Sequence, residues 1–316
     1  MSRGDEGPAG EGLPLPAILF DMAPGIHASR KDLRDAVAGE PRPVDQAAIL
    51  GAVREDVRQT LRSGWVDIAL EAAAAQPIFF TAAWSAIRPN VGRSFLLLAK
   101  ALRSEATEAL GAPSPPDVRK RLDGELGEEE LRRAEDAVRA THQVTPKVQL
   151  VVHALLRAVR RERVAGTGRE EPPVRRGVPE WQRWMSFQPA PEEAWPVLED
   201  AGEALGLPAL PATLRLLARW PAALTSLWDE LGPVVRSPVW TAGAQRVRRI
   251  MLAGIGNLPH PVELQWMALR ERGFTEDSRA RLAEALVAHD AAMAHHTMVA
   301  AFAWSAFGGP EVGVEA

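Results

Sequence analysis

Residues 53–91, VREDVRQTLRSGWVDIALEAAAAQPIFFTAAWSAIRPNV, are similar to a second stretch that follows later in the chain. A shift of 144 residues aligns them without a gap on residues 197–235, VLEDAGEALGLPALPATLRLLARWPAALTSLWDELGPVV. Eleven of the thirty-nine aligned positions are identical, among them Asp56 with Asp200 and Trp84 with Trp228. Self-similarity at a fixed spacing predicts a repeated structural unit. An offset of 147 residues pairs His142 with His289, so we expect the repeat to span each half.

Apolar residues recur at three- and four-residue spacing along most of the chain, which is typical of helices with one buried stripe. The pattern begins at Pro43 and returns in 94–110, 128–159, 213–231, 242–252 and 278–307. No stretch alternates convincingly with the two-residue period of a strand. The sequence therefore predicts an all-α fold made of two tandem helical repeats.

The two repeats are separated by residues 162–192, where Gly, Pro, Arg and Glu replace the helical pattern. This composition is typical of a linker, and its aromatic residues favour packing across both halves. We divide the chain into a partly disordered N-terminal extension (1–42), a first repeat (43–161), the linker, a second repeat (193–308) and a tail (309–316). Two copies of such a unit can bury their apolar faces on each other, so we expect a pseudo-dimer with a site between the halves.

The composition argues against several classes of function. The net charge is only −4, and the arginines are scattered beside Glu and Asp, so we expect no nucleic-acid partner. The absence of cysteine excludes disulfides, thiolate metal sites and cysteine nucleophiles. The acidic, glycine-rich N-terminal residues are not typical of a signal peptide, and the apolar runs are too short to span a bilayer. We expect a cytoplasmic protein without a membrane partner.

Three segments resemble motifs of the group I 2-haloacid dehalogenases, a family that acts on both stereoisomers of 2-haloalkanoic acids. EDVRQTLRSGWV at 55–66 resembles the family's helix and bend that end in a pocket tryptophan, here Trp65. TPK at 145–147 resembles its Asn-Pro-Lys, and LARWP at 217–221 resembles its Leu-Ala-x-Trp-Pro. The resemblance implies an all-helical, duplicated fold with a site between the halves. It also implies an aspartate that activates water directly, without an ester intermediate, assisted by an asparagine.

The chain departs from the family pattern at four of five pocket positions. The aspartate position is Thr213, the asparagine position is Thr145, the serine position is Ala212, and an aromatic position soon after Trp65 is Ile68. A threonine hydroxyl cannot accept a proton from water at neutral pH as a carboxylate can. The resemblance therefore implies substrate-binding roles for Trp65, Ile68, Thr145 and Thr213, and it leaves the catalytic base unassigned.

Two residues are candidates for the missing base. Asp67 lies two residues after Trp65 and could face the same cleft as Thr213; alternatively, it is a helix N-cap or first-turn acid facing solvent. His142 lies three residues before Thr145 on the same helical face; alternatively, it is a hydrogen-bonded core residue. The sequence does not choose between these readings.

A metal site is not expected. His289, His295 and His296 share one predicted helix, but their spacing is not that of a His-Glu-x-x-His site, and thiolate ligands are absent. Trp84 and Trp228 follow apolar stripes and are predicted to be core residues. We therefore expect neither a metal nor another cofactor.

Two functional hypotheses follow. The first is hydrolytic removal of halide from a small 2-haloalkanoic acid, or a related reaction of a small carboxylate, between the halves. The second is a catalytically inactive homologue that binds a small molecule or regulates a partner. The fold alone cannot distinguish them, and the natural ligand and the oligomeric state stay open.

Overall fold

In the first half of the chain, the described residues form six α-helices. A computed structural model describes residues 46–111, 117–164, 166–172 and 174–309. The helices are α1 (Gln46–Leu61), α2 (Ile68–Ala74), α3 (Pro77–Ile87), α4 (Arg93–Ala109), α5 (Val118–Leu122) and α6 (Glu128–Val159). Pro77 stands at the first position of α3, where the missing N–H costs nothing. A short 3-10 helix, Arg88–Asn90, follows α3.

The second half contributes six more helices in the described ranges. They are α7 (Trp195–Leu205), α8 (Ala212–Leu217), α9 (Pro221–Val235), α10 (Pro238–Ile255), α11 (Trp266–Glu271) and α12 (Glu276–Ala306). α8 and α9 start 144 residues after α2 and α3, and α11 and α12 start 148 residues after α5 and α6. β pairing in these ranges is confined to two isolated bridges, Asp123 with Leu126 and Val164 with Val262. The all-α prediction is confirmed.

The two longest helices, α6 and α12, pack against each other in antiparallel orientation at the centre of the molecule. His153 Nδ1 lies 2.9 Å from Asp290 Oδ1, and Thr297 Oγ1 donates to Gln149 Oε1 at 2.6 Å. Further along, the His142 ring stacks on Trp304 with centroids 5.7 Å apart. The partners run in opposite directions along the two helices, which fixes the orientation. The described residues from Gln46 onward form one compact unit around this pair.

The shorter helices α2 and α8 both rest on this central pair. α2 contacts α6 and α12, and α8 contacts the same two helices. α4 packs against α10 beside them. The segments that the sequence singled out, around Asp67 and Thr213, therefore begin helices that share the same support.

The predicted linker contacts residues of both repeats. The Gly177 amide donates to the Gln59 carbonyl at 2.8 Å, and the Val262 amide donates to the Val164 carbonyl at 3.2 Å. Met185 is buried. Residues 162–192 therefore contact parts of the chain that precede and follow them, and their role as a linker between two repeats stays a prediction.

One local prediction is wrong. The periodic stretch 213–231 is split, because α8 ends at Leu217 and Pro221 begins a new helix. Pro233 lies inside α9, which continues to Val235. A proline this close to the end of a helix removes a single backbone hydrogen bond, so the helix can continue past it for a short distance.

Some predictions concern residues outside the described ranges. These are the N-terminal extension at 1–42, the first residues of the predicted helix at 43–45, and all but the first residue of the tail at 309–316. Within the described ranges, none of the helices combines the length and the apolar character needed to cross a membrane.

Candidate functional site

The segment between α1 and α2 holds Trp65 in a tight bend. Ser63 Oγ donates to the Trp65 carbonyl at 2.6 Å, and the Trp65 amide donates to Ser63 Oγ at 3.2 Å. Lys147 Nζ, from the middle of α6, donates to the Leu61 carbonyl at the end of α1 at 3.2 Å. A Cβ atom at Gly64 would lie only 2.4 Å from a linker carbonyl. The bend is therefore held from two sides, and Trp65 is buried within it.

Asp67 caps the N-terminus of α2 from inside the protein. Its Oδ1 accepts a hydrogen bond from the Ala69 amide at 3.0 Å, and the residue is only 4% exposed. Burial raises the pKa of Asp67, although the Ala69 hydrogen bond and the charges of Arg215 and His289 lower it. The N-cap reading is thus correct, but the expectation that such an acid faces solvent is wrong. A buried carboxylate with a raised pKa is suited to accept a proton near neutral pH.

Thr213 lies in the first turn of α8, and its hydroxyl group is hydrogen-bonded within the protein. Its Oγ1 donates to Thr141 Oγ1 at 3.0 Å, and Thr141 Oγ1 in turn donates to the Val138 carbonyl at 2.9 Å. Thr213 is 1% exposed. The hydroxyl ties α8 to α6, and nothing about this arrangement makes it a base.

Arg215 extends from α8 towards the Asp67 side of the site. Its guanidinium carbon lies 3.7 Å from the centroid of the Phe187 ring, and Phe187 meets Trp65 edge to face with centroids 6.2 Å apart. Burial lowers the pKa of Arg215, while the charge of Asp67 raises it. Phe187 thus links the tryptophan of the first repeat to an arginine of the second.

α12 adds two imidazoles to this cluster. Burial lowers the pKa of His289, whereas the charge of Asp67 raises it. Burial lowers the pKa of His296 to about 4, and its Nε2 lies 3.2 Å from the Ala209 carbonyl just before α8. Both rings therefore favour the neutral form at pH 7, so His289 acts on Asp67 only in its protonated form. Arg215 is the permanent positive charge that acts on Asp67.

His142 lies in a different environment from Asp67. It is buried against Trp304, and burial together with the charge of Arg103 lowers its pKa to about 3. Neither ring nitrogen has a hydrogen-bond partner among the described residues. The alternative of a hydrogen-bonded core histidine is therefore correct about the burial of His142 and wrong about its hydrogen bond. An imidazole with so low a pKa is a weak base, which disfavours His142 as the residue that activates water.

The remaining predicted site residues lie close to these elements. Ile68 is the first residue of α2 and is half-buried, and Ala212 is the first residue of α8 and is buried. Thr145 is buried in α6, one turn beyond Thr141. His295 packs against Trp240 with centroids 5.9 Å apart. Among the residues that the structure describes, no group of three or more potential metal ligands is assembled.

Arg215 and Phe187 were not identified as site residues from the sequence. Arg215 interrupts the apolar run LRLL at 214–217, which is a signal that could have marked it. Phe187 stood out only as one linker aromatic among several, because the path of a linker over the core cannot be read from periodicity. The core prediction for Trp84 and Trp228 is confirmed, since both are buried.

No protein-family model matches the sequence. Two characterised proteins are similar to it. An (R)-2-haloacid dehalogenase of Rhizobium sp. (strain NHG3) is 27% identical over 244 residues, which cover 71% of this chain and 90% of that protein. A configuration-inverting 2-haloacid dehalogenase of Pseudomonas sp. (strain 113) is 24% identical over 277 residues, covering 84% and 90%.

Solved structures of D-2-haloacid dehalogenases share the fold. A mutant in complex with D-2-CPA superimposes with a TM-score of 0.73 at 19% identity, covering 84% of this chain and 95% of that one. A complex with L-LA gives a TM-score of 0.70 at 19% identity, with coverage of 84% and 96%. Each of these two structures shares the helical architecture of this chain over most of both chains.

Proposed function

We propose that this chain is a 2-haloacid dehalogenase-like protein that binds a small 2-substituted carboxylate beside Asp67 and hydrolyses it there. The observation that carries the proposal is the buried Asp67 carboxylate, which lies next to the bend of Trp65 and within electrostatic reach of Arg215 on α8. The similarity to an (R)-2-haloacid dehalogenase and to a configuration-inverting 2-haloacid dehalogenase supports the substrate class. Motifs at 55–66, 145–147 and 217–221 favour group I, so both enantiomers are candidate substrates.

The chemistry requires a base and a leaving group on opposite sides of one carbon. In the proposed step, the oxygen of a water molecule attacks C2 of the substrate while the carbon–halogen bond breaks. The bonding electron pair leaves with the halide, and the proton of the water passes to the Asp67 carboxylate, which later returns it to solvent. The products are a halide ion and a 2-hydroxy acid with inverted configuration. Asp67 is a better base for this step than His142, because the raised pKa favours uptake of a proton.

We also propose that the two repeats form a pseudo-dimer and that the site lies between them. Equivalent side chains make equivalent bonds, since Trp84 Nε1 donates to Asp56 at 2.7 Å and Trp228 Nε1 donates to Asp200 at 2.6 Å. The equivalent helices α6 and α12 pack on each other, as do α4 and α10. Asp67 comes from the repeat at 43–161 and Arg215 from the repeat at 193–308, so a ligand between them would touch both.

A second candidate function is favoured by the state of Thr213. Its hydroxyl bonds to Thr141, and the position supplies no carboxylate. A homologue of this kind could keep the binding site and lack turnover, acting as a small-molecule-binding or regulatory protein. Asp67 would then serve only as the cap of α2.

The test is chloride release from (R)- and (S)-2-chloropropionate by the purified full chain. We expect turnover by the wild type and a loss of at least about 100-fold in Asp67→Asn, which is the usual contribution of a general base. Glu71→Gln is the matched control, because this acid lies on the same helix and pairs with Arg54. We expect near wild-type turnover for it. Unchanged turnover in Asp67→Asn would remove Asp67 as the base.

Thr213→Asp separates the two functions. An inactive wild type that gains chloride release through this single change would establish an inactive homologue with an intact site. If neither protein releases chloride and the wild type binds neither 2-chloropropionate nor lactate in a titration, both candidate functions are wrong.

A further inference from the structure

The guanidinium of Arg215 is a half-buried cation whose hydrogen-bonding capacity is unused. Other arginines have acidic partners: Arg54 pairs with Glu71, and Arg88 lies 3.0 Å from Asp56. Arg215 instead lies over the Phe187 ring, and among the described residues its guanidinium has neither a hydrogen-bond acceptor nor an ion pair. Asp67 acts on it electrostatically, but the two do not form an ion pair. Five N–H donors are therefore available at this position.

A second unused donor lies close by. Trp65 Nε1 is buried and has no acceptor in the described part of the chain. Trp65 and Arg215 both contact Phe187, the indole in an edge-to-face arrangement and the guanidinium over the face of the ring. A buried N–H without an acceptor destabilises the protein, so an acceptor supplied by a ligand or by water is favoured here.

We propose that Arg215 binds the carboxylate of a small monocarboxylic acid, whose 2-substituent packs against Phe187 and Trp65 beside Asp67. A planar guanidinium matches the two oxygens of a carboxylate and can bind both at once. The rings of Phe187 and Trp65 are the apolar groups beside the guanidinium that the rest of the molecule would contact. The negative charge of Asp67 disfavours a second carboxylate, so monocarboxylates bind better than dicarboxylates. This assignment rests on the proposed function, to which it adds the binding group and the class of acid.

The test is isothermal titration with lactate, which has no halide to lose, and with lactamide as its neutral counterpart. We expect the wild type to bind lactate and Arg215→Gln to bind it about 10- to 100-fold more weakly, the loss typical of a charge-assisted contact. Arg215→Lys should recover only part of the affinity, because lysine cannot bind both oxygens in the plane of the carboxylate. Lactamide binding should be weak and similar in the wild type and the variants.

Arg219→Gln is the matched control. Arg219 lies one turn further along the chain, and its guanidinium also lies near aromatic rings, 5.3 Å from the centroid of Trp184, but it is exposed. We expect lactate affinity within about twofold of the wild type for this variant, since exposed charges contribute little. Thermal unfolding of each variant shows whether it is folded, and Arg215→Lys provides the comparison if Arg215→Gln is not.

The outcomes separate this inference from the proposed function. Lactate binding that depends on Arg215, without chloride release from 2-chloropropionate, supports the inference and rejects the hydrolytic function. Chloride release with the same KM in wild type and Arg215→Gln supports the function and overturns the inference. Equal lactate affinity in the wild type and both Arg215 variants also overturns it, as does a wild type that binds no lactate.

Discussion

At the scale of one residue, the burial of Asp67 makes the stability of the folded protein depend on pH. In the unfolded chain its carboxyl titrates near its ordinary pKa of about 3.9, whereas burial raises the pKa in the folded protein. The folded state therefore holds the proton more tightly, and its advantage is complete below the unfolded pKa. That advantage is lost as the pH rises through the folded pKa. The carboxyl group is then ionised in both states, and burial disfavours the charged form only in the folded protein.

Asp67→Asn should remove this penalty at neutral pH. Asparagine keeps the oxygen that accepts the Ala69 hydrogen bond and is as good an N-cap as aspartate. We expect Tm at pH 7 to rise by at least about 2 °C, the shift that roughly 1 kcal/mol produces in a chain of this size. The difference should shrink towards pH 4 in thermal unfolding followed by circular dichroism. A variant less stable than the wild type at pH 7 would contradict the burial argument.

The sequence predicted Asp67 as a candidate but could not predict its burial. An aspartate just before a helix is predicted to be an N-cap whether it faces water or protein, because capping depends only on the backbone amides of the first helical turn. Its burial depends on α8 and α12, which are more than a hundred residues away in the chain. Arg215 was missed for the same reason, because its neighbours Phe187 and Asp67 are set by the path of the linker and the packing of α2.

The bend before α2 is the element that places Trp65 and Asp67. Gly64→Ala would put a Cβ atom 2.4 Å from a linker carbonyl, so the bend or the linker has to move. We expect a loss of about 1–3 kcal/mol in the free energy of unfolding, typical of overpacking, together with weaker lactate binding. The measurements are urea denaturation and titration calorimetry.

Gly51→Ala is the control for that substitution. Gly51 lies within α1, and a Cβ atom there meets nothing within 4 Å. Alanine is favoured over glycine in a helix interior, so we expect a gain of about 0.5–1 kcal/mol and unchanged lactate binding. Equal behaviour of the two alanine variants would show that the close approach at Gly64 does not matter.

The two tryptophan–aspartate bonds provide a comparison between the repeats. Asp56 accepts from Trp84 and pairs with Arg88, and its side chain is 13% exposed; the side chain of Asp200 is 47% exposed. Asp56→Ala should lower the free energy of unfolding by about 2 kcal/mol, because it leaves a buried donor unpaired. Asp200→Ala should cost clearly less, because water can replace the lost partner. Urea denaturation of both variants is the measurement, and a larger loss for Asp200→Ala would contradict this ranking.

Helical elements were predicted more securely than their ends. The 128–159 pattern coincides with α6, because a long amphipathic stripe leaves little choice. The split between α8 and α9 was missed even though Pro221 marks it, since apolar spacing continues across the break. Pro233 also shows why helix ends are hard to predict, because a proline two residues before the end of α9 removes one backbone hydrogen bond and does not stop the helix.

At the scale of the whole molecule, the internal repeat predicts where the two halves should meet. α12 starts 148 residues after α6, and residues 149 and 297 are also 148 apart. A twofold axis between two antiparallel helices passes where equivalent residues face each other. Thr297 bonds to Gln149 at 2.6 Å, which is the contact expected if the proposed pseudo-dimer axis crosses there. The pseudo-dimer stays a proposal, and the spacing of 148 differs by one residue from the offset of 147 that pairs His142 with His289. The repeat alone could not reveal which polar groups occupy the asymmetric positions.

The proposed carboxylate site between Asp67 and Arg215 can be observed in a crystal structure of the protein grown with saturating lactate. We predict that the lactate carboxylate lies within about 2.7–3.2 Å of the Arg215 guanidinium, the usual hydrogen-bond range, with C2 facing Asp67 and the methyl group against Phe187 or Trp65. Lactate bound elsewhere, or protein side chains filling the space between Asp67 and Arg215, would contradict the account.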